Sequence, residues 1–92
     1  MIKSFSCKQT KSLFEGGSPR AFRVFKSVAE RKLQQLDSAA SLDFLRSPPG
    51  NQLERLTGDR AGLYSIRINK QWRVCFKWHR GNVLDVEIID YH

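Results

Sequence analysis

The side chains best suited to chemistry in this sequence are two arginines, Arg67 and Arg73. Arg67 lies in Tyr64-Ser65-Ile66-Arg67-Ile68 and Arg73 in Trp72-Arg73-Val74-Cys75-Phe76, stretches in which apolar and polar residues alternate. Alternation marks a strand with one face toward a core, so paired strands must bring their apolar sets together. A two-residue turn at Asn69-Lys70 would set Arg67 against Trp72 and mix the faces. A three-residue turn, Asn69-Lys70-Gln71, sets Ile68 opposite Trp72, Ile66 opposite Val74, Tyr64 opposite Phe76, and therefore Arg67 opposite Arg73. Directly opposed like charges destabilise a sheet unless an anion lies between them. Arginine suits bidentate phosphate contact and charge stabilisation in a phosphoryl transition state, so the pair reads as a phosphate clamp. The plainer reading is two solvated arginines, or arginines paired with Glu54 or Glu87.

Other candidates are weaker alone. Tyr91 can donate or accept a proton, but a tyrosine beside Ile88 and Ile89 also reads as packing. His92 reads as a frayed terminus and His79 as a polar turn residue unless a site claims them. Trp72 and Trp78 can stack on bases, yet their place on the apolar alternation favours the core. Arg20, Arg23, Lys26, Arg31 and Lys32 form a basic helical face whose default is solvent. No phosphate-binding Gly-rich loop, H-E-x-x-H, paired C-x-x-C or nucleophile elbow occurs, and two histidines make no His-rich metal site. What is left is metal-free chemistry on a phosphate, or binding without chemistry.

The elements that position these residues follow from the hydrophobic period, which is helical in the first half and alternating in the second. Cys7 to Glu15 reads as a small helix with Leu13 and Phe14 inward, closed by Gly16-Gly17. Ser18 as N-cap and Pro19 at the first position start a second helix, with Phe22, Phe25, Val28, Ala29, Leu33 and Leu36 at three-to-four spacing. Leu42, Phe44 and Leu45 allow one more turn before the loop Ser47-Pro48-Pro49-Gly50. From Gln52 the pattern is β: Leu53–Leu56, a turn-rich Thr57–Gly62, then three alternating strands. Matching Trp78 with Leu84 pairs Phe76 with Val86, Val74 with Ile88, Lys77 with Asp85 and Arg73 with Ile89. Regular continuation brings Tyr91 to the arginine face. The expected fold is α+β, two N-terminal helices packed on one face of a twisted antiparallel sheet.

Ninety-two residues make a single domain, residues 1–92, with no room for a separate cofactor domain. Hydrophobic residues at 40% and aromatics at 11% exclude disorder. Sixteen Lys+Arg against nine Asp+Glu give +7, which favours a polyanionic partner. All of the basic residues precede residue 83, whereas Asp85, Glu87 and Asp90 make the last stretch acidic. Asp85 and Glu87 are placed to hold Lys77 and the neighbouring arginines. Two cysteines, Cys7 and Cys75, read as reduced fillers, and no apolar run approaches the ~20 residues of a membrane span. The expected location is the cytoplasm, with no membrane partner.

Met1-Ile2-Lys3-Ser4-Phe5, Leu56-Thr57-Gly58-Asp59-Arg60-Ala61-Gly62, Ser65-Ile66-Arg67-Ile68, Trp72-Arg73-Val74-Cys75-Phe76 and Asp90-Tyr91-His92 together resemble the HigB branch of the RelE/ParE toxin superfamily. The resemblance spans essentially the whole chain. Ser47-Pro48-Pro49-Gly50 and Val28-Ala29-Glu30-Arg31-Lys32-Leu33 are similar to the GraT-like members of that branch. The resemblance implies a toxin that cuts mRNA in the ribosomal A site without cofactor or metal. It also implies a HigA-like helix-turn-helix antitoxin that sequesters the toxin, and operator DNA met only through that antitoxin. In that scheme Arg73 stabilises the transition state, Arg67, Lys77 and Arg60 contact phosphate, and Asp90, Tyr91 and His92 form the working C-terminus, with His92 or Tyr91 carrying a proton. Arg20, Arg23 and Lys26 then face ribosome or antitoxin.

One departure from the family pattern bears on mechanism. Leu53-Glu54 stands where HigB toxins place a histidine after the leucine, and Thr57 stands at a nearby lysine position. Glu54 can act as a general base, but its charge repels RNA and can instead pair with Arg67 or Arg73. That implies weaker cleavage and keeps open an alternative, a growth inhibitor that binds ribosomal RNA, ribosome assembly intermediates or gyrase with little or no cutting.

Overall fold

Two helices and a four-stranded antiparallel sheet, ordered β1-β2-β3-β4, form the chain in this computed structural model, which describes residues 1–60 and 62–90 without the Arg60 side chain. The helices are α1 (Lys8–Phe14) and α2 (Lys26–Ser38). The strands are β1 (Glu54–Arg55), β2 (Leu63–Arg67), β3 (Trp72–His79) and β4 (Asn82–Asp90). The expected α+β architecture is the observed one. Among the described residues, no helix is long and apolar enough to cross a membrane.

Helix α1 buries Leu13 and Thr10, and the chain leaves it through Gly16 at φ +100°, a left-handed conformation that glycine adopts without a Cβ clash. The second helix does not start as Ser18-Pro19 suggests. Pro19 is extended at ψ 134°, no side-chain cap bond forms, and Arg20–Phe25 is a 3-10 helix. Residues three apart eclipse in a 3-10 turn, so Phe22 and Phe25 lie on one side. Their ring centroids stand 6.0 and 5.1 Å from that of Trp72, which anchors the helical layer to the apolar face of the sheet. Behind them Ala29, Leu33 and Leu36 of α2 meet Ile66, Val74, Phe76, Val83, Val86 and Ile88 in one core, with Trp72 and Trp78 packed against it. Both tryptophans are thus partly buried against the core rather than an exposed stacking platform.

The β2–β3 register matches the three-residue-turn expectation: Tyr64 pairs with Phe76, Ile66 with Val74 and Arg67 with Arg73. Asn69 makes the turn, its Oδ1 accepting the Gln71 and Trp72 backbone N–H groups at 2.8 Å each. The next hairpin departs from expectation. Its turn is the two residues Arg80-Gly81, both at positive φ (50° and 81°), which pairs Trp78 with Val83 and Lys77 with Leu84. A bulge then places two β4 residues, Asp85 and Val86, against Phe76, with Asp85 at φ 52°. Beyond it Cys75 pairs with Glu87, Val74 with Ile88 and Arg73 with Ile89, so the expected register is recovered near the arginines. The bulge lets Val83 and Val86 both reach the core, an outcome that strict alternation forbids. Ser4 holds it, accepting the Asp85 N–H at 2.9 Å, while Ile2 and Phe5 bridge in parallel to Val83 and Val86 and cover the β4 edge. Because Arg80 occupies a left-handed position that favours Asn or Gly, Arg80→Asn should raise stability by a few tenths to about 1 kcal/mol. Thermal unfolding reads that as a rise of a few degrees, and an unchanged or lower midpoint would contradict the turn geometry.

A buried polar node ties α2 to the loop before β1. Asn51 is fully buried, and its Oδ1 accepts a hydrogen bond from the Lys32 ammonium. Burial, and secondarily the Arg31 charge, lowers the Lys32 pKa below the ordinary 10.5. The folded chain then binds fewer protons than the unfolded one above the folded-state pKa, so stability from this site rises with pH toward 10.5. Lys32→Met should remove that rise, which urea unfolding from neutral to alkaline pH would detect as a wild-type minus variant difference growing with pH. A difference independent of pH would contradict the assignment.

Candidate active site

The face of the sheet away from the helices carries the candidate chemistry. Cross-strand partners share a face, so Glu54, Ser65, Cys75 and Glu87 form one row and Arg67, Arg73 and Ile89 the next. A cleft of about 410 Å³ opens over these rows, lined by Gln52, Glu54, Arg67, Asn69, Lys70 and Arg73. Among the described residues, three cations and one carboxylate therefore line it. This electrostatic balance favours an anion in the cleft.

The two opposed arginines are held differently. Arg67 is half-buried and turns toward the hairpin, its Nε donating to the Asn69 carbonyl at 3.1 Å. Arg73 is only 7% exposed and anchored from several directions. Its Nε donates to Ser65 Oγ at 2.8 Å, and its Nη2 donates to the Gln52 carbonyl and to the Ser65 carbonyl. Its Nη1 lies 3.9 Å from Glu54 Oε1. Glu54 has a side chain 51% exposed, so this long contact contributes no more than about 1 kcal/mol. Intramolecular acceptors thus offset part of the like-charge repulsion, and the Glu54 pairing weighed from sequence is present for Arg73. A guanidinium fixed in this way presents a pre-oriented charge rather than a mobile one.

The other sequence candidates divide by location. Lys77 shares the Arg73 side of β3 but lies further along the strand and outside the cleft, with its amine 3.5 Å from Asp85 Oδ2. That ion pair survives although the expected Lys77–Asp85 register does not. Asp90 pairs with Trp72, which places it on the helix-side face at the end of β4, where its Oδ2 accepts from Gln71 Nε2 at 2.9 Å. Arg20 and Arg23, both exposed, belong to the 3-10 segment and Lys26 to the start of α2, in the layer across the sheet from the cleft. The Arg60 side chain, Tyr91 and His92 lie outside the described residues. Lys70 and Gln52 are cleft residues that the sequence reading did not single out. The three-residue turn beside the arginines was a usable signal for Lys70, whereas Gln52 contributes a backbone carbonyl to Arg73, for which residue type gives no signal. Among the described residues, no group of three or more His, Cys, Asp and Glu side chains is placed to hold a metal ion. Cys75 is buried and Cys7 half-buried.

Comparison with known proteins establishes the family and the fold. The model of the HigB-like toxin family, described as the RelE-like toxin HigB of type II toxin–antitoxin systems, matches residues 3–92. Toxin HigB-1 of Vibrio cholerae is 49% identical over 55 residues, a stretch covering 60% of this chain and 58% of that protein. Endoribonuclease HigB of Proteus vulgaris is 35% identical over 94 residues and covers all of both chains. In fold, YafQ of Escherichia coli superposes with a TM-score of 0.62 at 11% identity, over 98% of this chain and 91% of that one. The YoeB–YefM toxin–antitoxin complex of Staphylococcus aureus gives 0.62 at 16% identity, over 100% and 98%. The helices packed on a four-stranded sheet and the family match over residues 3–92 lead to one assignment: the chain belongs to the HigB-like, RelE-like toxins of type II toxin–antitoxin systems.

Proposed function

We propose that this protein is a cytoplasmic, ribosome-dependent mRNA endoribonuclease of the GraT-like kind, neutralised by a HigA-like helix-turn-helix antitoxin. The observation that carries the reading is the cleft itself, in which opposed Arg67 and Arg73, with Lys70, surround a space bordered by Glu54. The full-length relative named Endoribonuclease HigB supports the reaction class. The YoeB–YefM complexes support an antitoxin partner.

In the proposed reaction the 2′-hydroxyl of the message loses its proton to Glu54 and attacks the adjacent phosphorus. The bond from phosphorus to the 5′-oxygen breaks, leaving a 2′,3′-cyclic phosphate and a 5′-hydroxyl. His92 or Tyr91 supplies the proton to the departing oxygen, with Asp90 supporting the C-terminal segment. Arg73 meets the charge that develops on the phosphoryl oxygens, and Arg67 and Lys70 bind the flanking phosphate. Lys77 and Arg60 extend phosphate contact along the message. The ribosome holds the substrate in an attacking geometry, a contribution that orientation makes large. This offsets the repulsion between Glu54 and RNA. Arg20, Arg23 and Lys26 serve as ribosome- or antitoxin-facing surface.

Purified ribosomes programmed with a defined message test the proposal. Cut products with 5′-hydroxyl ends should form when toxin, message and ribosomes are all present, and vanish when ribosomes are omitted. Equal cutting of naked RNA would contradict ribosome dependence. Intact message in growth-arrested cells with accumulating ribosome precursors would favour the binding reading, in which Glu54 stays paired with Arg73 instead of taking a proton.

A further inference from the structure

Arg73 owes part of its orientation to the carbonyl of Gln52, a non-glycine residue at φ 44° that joins the loop to β1. The residue before it is Asn51, whose amide is fully buried and engaged on every side. Its Nδ2 donates to the Leu45 carbonyl at 3.0 Å, to the Ser47 carbonyl at 3.2 Å and to Gln35 Oε1 at 3.2 Å. Its Oδ1 accepts from Lys32, and its own backbone N–H donates to the Pro48 carbonyl at 2.9 Å. One side chain thereby joins helix α2 to both limbs of the loop, directly before the carbonyl that receives the guanidinium. Asn51 does not line the cleft.

We infer that Asn51, held by Lys32 and Gln35, is a positioning residue for Arg73, fixing the Gln52 carbonyl so that the guanidinium faces the cleft in one orientation. A buried polar group satisfied this completely rigidifies the backbone around it. The Ser47–Asn51 loop alone needs no such link to the sheet face, whereas a pre-oriented transition-state charge does. The consequence for cleavage rests on the ribonuclease reading above; the consequence for the arginine's orientation does not.

The experiment uses the full chain with Asn51→Ala and with Lys32→Met, each alone and combined with Arg73→Lys. Two quantities are followed: the Arg73 Nε–H resonance by ¹⁵N NMR, and kcat and KM for message on programmed ribosomes. Asn51→Ala should shift or broaden the Arg73 resonance and lower kcat by up to about 100-fold with KM unchanged, the effect of a small misplacement at the reacting centre. Lys32→Met should act in the same direction to a smaller extent. In the Arg73→Lys background, Asn51→Ala should add no further loss of kcat, since the two changes act through one group. A folded Asn51→Ala variant with an unmoved Arg73 resonance, or with losses that multiply with those of Arg73→Lys, overturns the inference. If Asn51→Ala fails to fold, the resonance in Lys32→Met decides. A moved resonance in a wild-type background without cleavage supports the positioning role and counts against the ribonuclease reading.

Discussion

Arg73→Ala is expected to lower message cleavage by about 10²–10³ in kcat, the loss seen when one pre-oriented donor to a transition-state oxyanion is removed. Arg73 is the cleft cation most firmly fixed, with Ser65 Oγ, the Gln52 and Ser65 carbonyls and Glu54 around it. The same anchoring makes the substitution costly to the fold, because buried acceptors left without a donor cost about 1–3 kcal/mol. Activity must therefore be compared in fully folded protein, with urea unfolding run alongside. Arg73→Lys retains the charge but not the planar fork, so it should recover part of the stability and little of the rate. A folded Arg73→Ala variant that cuts at the wild-type rate would remove the phosphate role from this residue.

Glu54→Gln should reduce kcat by about 10²–10⁴, the range for loss of a positioned general base, while leaving RNA affinity unchanged or tighter. The amide preserves size and removes both the basic oxygen and the negative charge that opposes RNA. Its effect on stability should be small, since the 3.9 Å contact to Arg73 involves a half-exposed carboxylate. The split between kcat and KM is the informative readout. A variant that cuts faster would show that Glu54 restrains Arg73 instead of taking the proton, and Glu54→His would then be expected to cut faster still.

The parts of the site that were legible in the sequence are those that strict alternation controls. Pairing Ile66 with Val74 and Tyr64 with Phe76 leaves one turn length at Asn69-Lys70-Gln71, and that length puts Arg67 opposite Arg73 as observed. The β3–β4 hairpin was less legible because Arg80, a residue uncommon at positive φ, forms half of a two-residue turn, and the Asp85 bulge then restores the pairing. The 3-10 start of the second helix was hidden for a related reason. Phe22 and Phe25 fit the helical period, but their shared contact with Trp72 is tertiary and favours the tighter turn. Burial of Arg73 was also out of reach, since its anchors include backbone carbonyls, which every residue possesses. The polar node at Lys32 and Asn51 reads from sequence as a solvated lysine and a loop asparagine. Only packing of the loop against α2 reveals it.

The central claim is that this cleft cuts messenger RNA. The most direct measurement is a transcriptome-wide map of new mRNA 5′ ends after brief induction, in cells carrying either the wild-type chain or Arg73→Ala at equal protein levels. The account predicts new 5′-hydroxyl ends within translated regions for the wild type and none above background for the variant. Growth arrest by the wild type with an unchanged map of message ends would contradict it.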